Sequence, residues 1–139
     1  MIREIKESDL KRDYFELLSQ LSGDVKPHNV YNMWEAYLSG SSKTFVFVEG
    51  DDVIGTATIF IEDKFLHCGS RVGHVEDVVV DNSRRIKGVG RSLIEACIGH
   101  AEDKECYKVI LDCAENVIPF YVKCGFIPAG YTMRYSLDR

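Results

Sequence analysis

Apolar residues recur along the chain at two periods, and the alternation between them divides it into helices and strands. Residues 2–6 form a short predicted strand. After Ser8, a residue suited to capping a helix, Leu10, Tyr14, Leu17, Leu18 and Leu21 follow a 3.6-residue period, and Gly23 ends the run. Val30, Met33, Trp34, Tyr37 and Leu38 make a second helical stripe, with Pro27 in its first turn and Gly40 at its exit. The β-branched and aromatic runs at 44–49 and 53–62, separated by Gly50-Asp51-Asp52, predict an antiparallel hairpin. A polar link with Asp63, Lys64, His67 and Arg71 then leads to a fourth strand at 75–80, whose valines suit the centre of a sheet. Gly88-Val89-Gly90 opens a helix marked by Leu93, Ile94, Cys97, Ile98 and Ala101. A fifth strand at 109–113, a short helix at 117–123 and a last strand at 131–137 complete the pattern, without internal repeats.

A length of 139 residues suits one core, so the expected organisation is a single domain over 1–139. The balance of 45% hydrophobic and 28% charged residues excludes a disordered or fibrous chain. No apolar run approaches the ~20 residues needed to span a bilayer. The opening MIREIKESDL sets acids and bases where a signal peptide needs an apolar stretch, so the expected location is the cytoplasm, without membrane association. A net charge of -5 gives no bulk attraction to nucleic acid, and an anionic ligand has to be held locally.

The five cysteines, Cys68, Cys97, Cys106, Cys113 and Cys124, contain no C-x-x-C pair, which argues against a disulfide framework and a zinc ribbon. Reduced, mostly buried thiols are expected. Adjacent residues of a strand point to opposite faces, so His67 and Cys68 form neither a metal site nor a Cys–His pair in this reading, and no metal is expected.

Candidate chemistry concentrates at 85–90, RIKGVG, where a strand passes through a basic glycine turn into a helix. That arrangement offers unpaired N–H groups and the positive end of a helix to a phosphate. The two common nucleotide fingerprints fail here: Arg85 stands where a P-loop needs glycine, and Leu93 occupies the last glycine of G-x-G-x-x-G. An ordinary helix cap accounts for Gly88 equally well.

R-x-x-G-x-G at 85–90, behind VEDVVV and ahead of FYVKCGF at 120–126, resembles the acetyl-CoA site of the GNAT N-acetyltransferases. Together with GHVED at 73–77 and CYKVILDC at 106–113, it resembles the branch of that family that acetylates glucosamine 6-phosphate. The likeness is tightest from Ile61 to Met133 and extends more weakly through the first helix. It implies a mixed α/β acyl-CoA N-acyltransferase fold, in which flanking helices cover a twisted central sheet splayed between its fourth and fifth strands. It also implies acetyl-CoA as cosubstrate, direct transfer in a ternary complex, and a homodimer with the last strand near its interface.

Carried over residue by residue, the resemblance sets the CoA pyrophosphate on Arg85, Ile86, Lys87, Gly88, Val89, Gly90 and Arg91, and the pantetheine arm along Val78, Val79 and Val80. Asn116 is the candidate for a CoA amide contact, since Val117 stands where members often have asparagine. Tyr121 matches the tyrosine beside the CoA sulfur, whose phenol protonates the departing thiolate. The aminosugar phosphate falls to Ser22, Lys64, His67, Glu76, Asp77, Asp112 and Arg134, with Glu76 and Asp112 also candidates to take the amine proton. Two acids within a valine run are costly to bury without a task. Cys113 and Cys124 have no matching base in the sequence, which argues against an acetyl-cysteine intermediate. Two other readings stay open: acetylation of a different amine, against which the Lys64, His67 and Arg71 cluster speaks for polycations, and a CoA-binding regulator without turnover.

Overall fold

The structure is a computed structural model, and it describes residues 1–84 and 86–139. Five strands form one mixed sheet in the order β1 (Ile2–Glu4), β2 (Ser42–Glu49), β3 (Asp52–Asp63), β4 (Arg71–Val80), β5 (Cys106–Leu111). The first four are antiparallel, and β5 runs parallel to β4. The parallel step requires a crossover connection. It is supplied by the 15-residue helix α4 (Val89–Asp103), which follows α1 (Arg12–Ser22), α2 (Val30–Ser39) and a single turn, α3 (Leu66–Gly69). A short α5 (Ile118–Lys123) follows β5 after a 3₁₀ turn at Glu115–Val117.

Two cores lie on opposite faces of the sheet. Val89, Leu93, Ile94, Cys97 and Ala101 form one stripe of α4 and pack against Ala57, Ile59, Ile61 and Val75. Each such aliphatic side chain contributes about 1.5–3 kcal/mol by leaving water. Gly55 permits this contact, because a Cβ there would lie 3.0 Å from both Leu93 and Val89. The other face is covered by α1 and α2, where Ile5, Tyr14 and Val46 are buried. There the buried Thr56 hydroxyl donates to the Phe45 carbonyl at 3.0 Å and accepts from Tyr14 at 3.1 Å.

The hairpin, the central valine strand and the glycine-opened helix are present as expected, with several boundaries corrected. Ser8 caps no α-helix. A 3₁₀ turn occupies Glu7–Asp9, because the buried Asp9 carboxylate is held by Arg3 at 2.7 and 2.9 Å and by the Lys6 N–H at 2.8 Å. Pro27 lies outside α2, whose cap is Asn29, accepting from the Asn32 N–H at 3.3 Å. β5 starts earlier than predicted, at Cys106, and ends at Leu111, before Asp112.

The largest correction is the last strand. Residues 131–137 pair with no described strand, and Tyr131, Met133, Tyr135 and Leu137 are exposed, Tyr131 at 99%. Their alternation is that of a strand, but a strand needs a neighbour to take its hydrogen bonds, and the folded chain brings none alongside.

Candidate active site

Pairing between β4 and β5 ends at Val75↔Leu111, although β4 continues to Val80. Beyond that pair the parallel strands diverge and open a cleft of about 860 Å³. On its other edge β4 stays paired to β3, so the stretch from Glu76 to Val80 keeps its position while one edge of its backbone faces the opening. Within it, Thr58 faces Glu76 and Thr56 faces Val79, so Ala57 opposes both Asp77 and Val78 in a β-bulge, with Asp77 at φ +53°.

Ser22, Glu76, Asp77, Val78, Val79, Val80, Ile86, Lys87, Gly90, Asp112 and Tyr121 all line this cleft. Glu76 and Asp112 are the first residues past the last β4–β5 pair, which is why two acids far apart in sequence face each other across the opening. Glu76 and Asp77 are exposed at the cleft rather than buried, and partial desolvation of Glu76, followed by the negative charges of Asp77 and Asp112, raises its pKa above the ordinary carboxylate value. The folded chain therefore holds this proton more tightly than the unfolded chain, and the ionised form costs stability above the raised pKa. Glu76→Gln is thus expected to raise the melting temperature at pH 8 and to leave it unchanged near pH 4.5. Thermal unfolding at both pH values checks this, and a lower melting temperature at pH 8 would contradict it.

At the far wall α5 carries Tyr121, whose ring meets Phe120 at 4.9 Å and Phe126 at 5.9 Å, both edge-on. Burial pushes its phenol above the usual tyrosine value, so it keeps its proton at neutral pH, and its hydroxyl bonds to no described residue. A Cβ on Gly90 would lie 3.1 Å from the Phe120 ring, so glycine at this point lets the first turn of α4 approach the element bearing Tyr121. The helix is entered through Gly88 at φ +91°, and the N–H groups of Gly90 and Arg91 meet no acceptor among the described residues. Together with exposed Lys87 at the cleft, this makes the N-terminal end of α4 suited to an anion.

Other predicted positions stand elsewhere. Arg85 lies outside the described residues. Val89 is buried in the α4 core, Gly88 and Arg91 are not in the cleft lining, and Arg91 pairs with Glu95 at 2.9 Å. Asn116 does not line the cleft but Val117 does, because the 3₁₀ turn at Glu115–Val117 brings its last residue to the opening. Lys64 contacts Glu62 at 3.3 Å, and His67 packs on Tyr107 at 4.3 Å between ring centres. Tyr107 lies on β5 five residues before Asp112, roughly 16 Å at the rise of a strand, so the Lys64 and His67 side chains do not join the acids within one chain. Arg134 lies in the exposed tail.

His67 and Cys68 are on no strand; both have left-handed φ, 49° and 60°, in α3. Of the cysteines only Cys97 is fully buried, its thiol pushed up to about 12, while Cys106 and Cys124 are half-buried and Cys68 and Cys113 exposed. Burial also raises Cys124. Among the described residues no group of three or more His, Cys, Asp or Glu is arranged to hold a metal ion. The pattern-based reading missed the wall formed by Leu21, Asn82, Leu111, Cys113 and Ala114, and the hydrogen bond from Thr132 to Asp112 at 2.7 Å. Leu21 was assigned wholly to the helix stripe, and Thr132 carries no local signal.

A mixed sheet opened between its two parallel strands, with a glycine-turned helix end at the mouth, is the acyltransferase architecture of the GNAT fold. Residues 8–126 match the model of the acetyltransferase (GNAT) family, and the chain belongs to that family. GNAT acetyltransferases use acetyl-CoA. A glucosamine 6-phosphate N-acetyltransferase of Trypanosoma brucei brucei is 38% identical over 141 residues, covering 98% of this chain and 95% of that protein. The enzyme of the same name from Arabidopsis thaliana is 36% identical over 143 residues, covering 99% and 96%. The crystal structure of a Trypanosoma brucei acetyltransferase superposes with a TM-score of 0.92 at 37% identity, covering 99% of both chains. That of glucosamine-6-phosphate N-acetyltransferase from Arabidopsis thaliana gives 0.92 at 33%, covering 99% of this chain and 98% of its own.

Proposed function

We propose that this chain transfers the acetyl group of acetyl-CoA to the amine of glucosamine 6-phosphate, giving N-acetylglucosamine 6-phosphate. The observation that carries the reading is the cleft, whose lining brings together protonated Tyr121 and the Glu76, Asp77 and Asp112 carboxylates. The end of α4, with Lys87 beside it, holds the pyrophosphate, and the open edge of β4 from Val78 to Val80 receives the pantetheine arm. Glu76 or Asp112 accepts the amine proton, directly or through water, and the neutral amine attacks the thioester carbonyl. Tyr121 donates its proton to the sulfur as the C–S bond breaks. We take the transfer to be direct, without an acetyl-cysteine: Cys124 does not line the cleft, and Cys113, which does, has no described side-chain base bonded to it.

Among the described residues the cation lining the cleft is Lys87, which this reading assigns to the pyrophosphate, so the sugar phosphate takes its cations from a homodimer. Two features support it: among the described residues β5 is an edge strand with no neighbour on one side, and the tail presents alternating Tyr131, Met133, Tyr135 and Leu137 to solvent. In this reading Lys64, His67 and Arg134 reach the phosphate from a second copy. Removing residues 131–139 is expected to convert a dimer into a monomer and to cut activity at least about tenfold, through loss of the cations and the Thr132–Asp112 bond. Light scattering and acetylation assays check both, and a truncated chain that stays dimeric would contradict the assignment. Among the described residues no helix is long and apolar enough to cross a membrane.

The reaction assignment is tested by following CoA thiol release from acetyl-CoA with a panel of amines. Glucosamine 6-phosphate should be preferred over spermidine and peptide amines. Preference for another amine would replace the substrate, and CoA binding without release on any amine would favour a regulator.

A further inference from the structure

Gln20 lies in the last turn of α1, two residues from its end, and its side chain is exposed. A solvated glutamine would be unremarked there, but this one crosses to the strand–helix connection at the cofactor end of the cleft. Its Oε1 accepts the N–H of Asn82 at 2.8 Å, and its Nε2 donates to Asp81 Oδ1 at 3.3 Å. The same Asp81 oxygen accepts both the N–H and the hydroxyl of Ser83 at 2.9 Å, and these bonds hold its pKa below the usual aspartate value. The Asp81 N–H is fixed to the Ile54 carbonyl at 2.8 Å. From the opposite side, Arg84 is clamped to Asp52 at 3.1 Å and Glu49 at 3.4 Å on the hairpin. The start of the connection is thus tied to β3, to the hairpin and, through one side-chain amide, to α1.

The placement of that amide has a consequence for binding. Leu21 and Ser22, next along α1, line the wall where the acceptor is placed, and Asn82, whose N–H it binds, lines the wall leading to Ile86 and Lys87. Gln20 therefore sets the spacing between the acceptor side of the cleft and the turn that presents N–H groups to an anion. We infer that Gln20 is a positioning residue, which holds the start of the connection, residues 81–84, in the geometry from which the cleft receives the phosphates of CoA. The inference rests on the functional reading given above and extends it to a side chain that lies outside the cleft lining.

The test uses CoA itself, titrated calorimetrically into the parental chain, Gln20→Ala, the isosteric Gln20→Met, and Arg12→Ala as a control on the same helix. Among the described residues Arg12 pairs with Glu16 alone, at 2.7 Å. Both Gln20 variants are expected to bind CoA roughly tenfold more weakly, the size that one or two hydrogen bonds supply. The Asn82 amide should exchange hydrogen faster in them. The kcat at saturating acetyl-CoA should stay at its parental value while the KM for acetyl-CoA rises, a split that a merely structural role would not produce. CoA affinity within twofold of the parental chain in both Gln20 variants would overturn the inference, as would equal weakening in Arg12→Ala. A parental chain that binds no CoA would overturn the functional reading, and the positioning role would fall with it.

Discussion

Glucosamine without its phosphate is expected to be acetylated at least about 10²-fold less efficiently than glucosamine 6-phosphate, read as kcat/KM. A phosphate dianion is held by charge-assisted hydrogen bonds worth about 1.5–3 kcal/mol each. Losing two of the three from Lys64, His67 and Arg134 removes about 3–6 kcal/mol, which corresponds to roughly 10²–10⁴ in affinity. Lys64 is already placed on an acid, Glu62, at 3.3 Å, so its charge is anchored in position rather than free to swing. Lys64→Met should narrow the gap between the two sugars by weakening only the phosphorylated one. Comparable kcat/KM for both sugars would show that these cations do not read a phosphate and would send the search to other amines.

Tyr121→Phe is expected to lower kcat about 10²-fold while leaving CoA affinity within twofold. The ring contacts with Phe120 and Phe126 survive the change, so the wall keeps its shape and only the donor to the departing sulfur is lost. Burial holds the phenol in its protonated form, as a donor at neutral pH must be. Single-turnover measurements, in which chemistry limits the rate, decide the matter. An unchanged rate under those conditions would remove Tyr121 from the mechanism.

Much of this fold is visible in the sequence because local period and burial agree. The α4 stripe of Leu93, Ile94, Cys97 and Ala101 and the alternation through β3 each state their own partner face. The splay of the sheet was carried by the motif resemblance, and the register explains it: pairing stops at Val75↔Leu111, immediately before Glu76 and Asp112. What the pattern could not show depends on partners distant in the chain. Ser8 was a plausible cap until Asp9 was tied to Arg3, and Pro27 was a plausible first turn until Asn29 took the cap. The run at 131–137 has the composition of a strand, but its pairing depends on a neighbour that the period cannot supply. Gln20 reads as a surface residue by period, because its partners, Asp81 and Asn82, are more than sixty positions away. The choice between Asn116 and Val117 turned on one residue of register in a 3₁₀ turn, finer than a motif can resolve.

The most direct test of the account is a crystal structure of the chain with CoA and glucosamine 6-phosphate bound together. The account predicts the thiol in the cleft between β4 and β5 within hydrogen-bonding reach of the Tyr121 hydroxyl, the pyrophosphate on the N-terminal end of α4, and the sugar amine against Glu76 or Asp112. CoA bound elsewhere on the molecule, or a sugar seated away from the three acids, would contradict it.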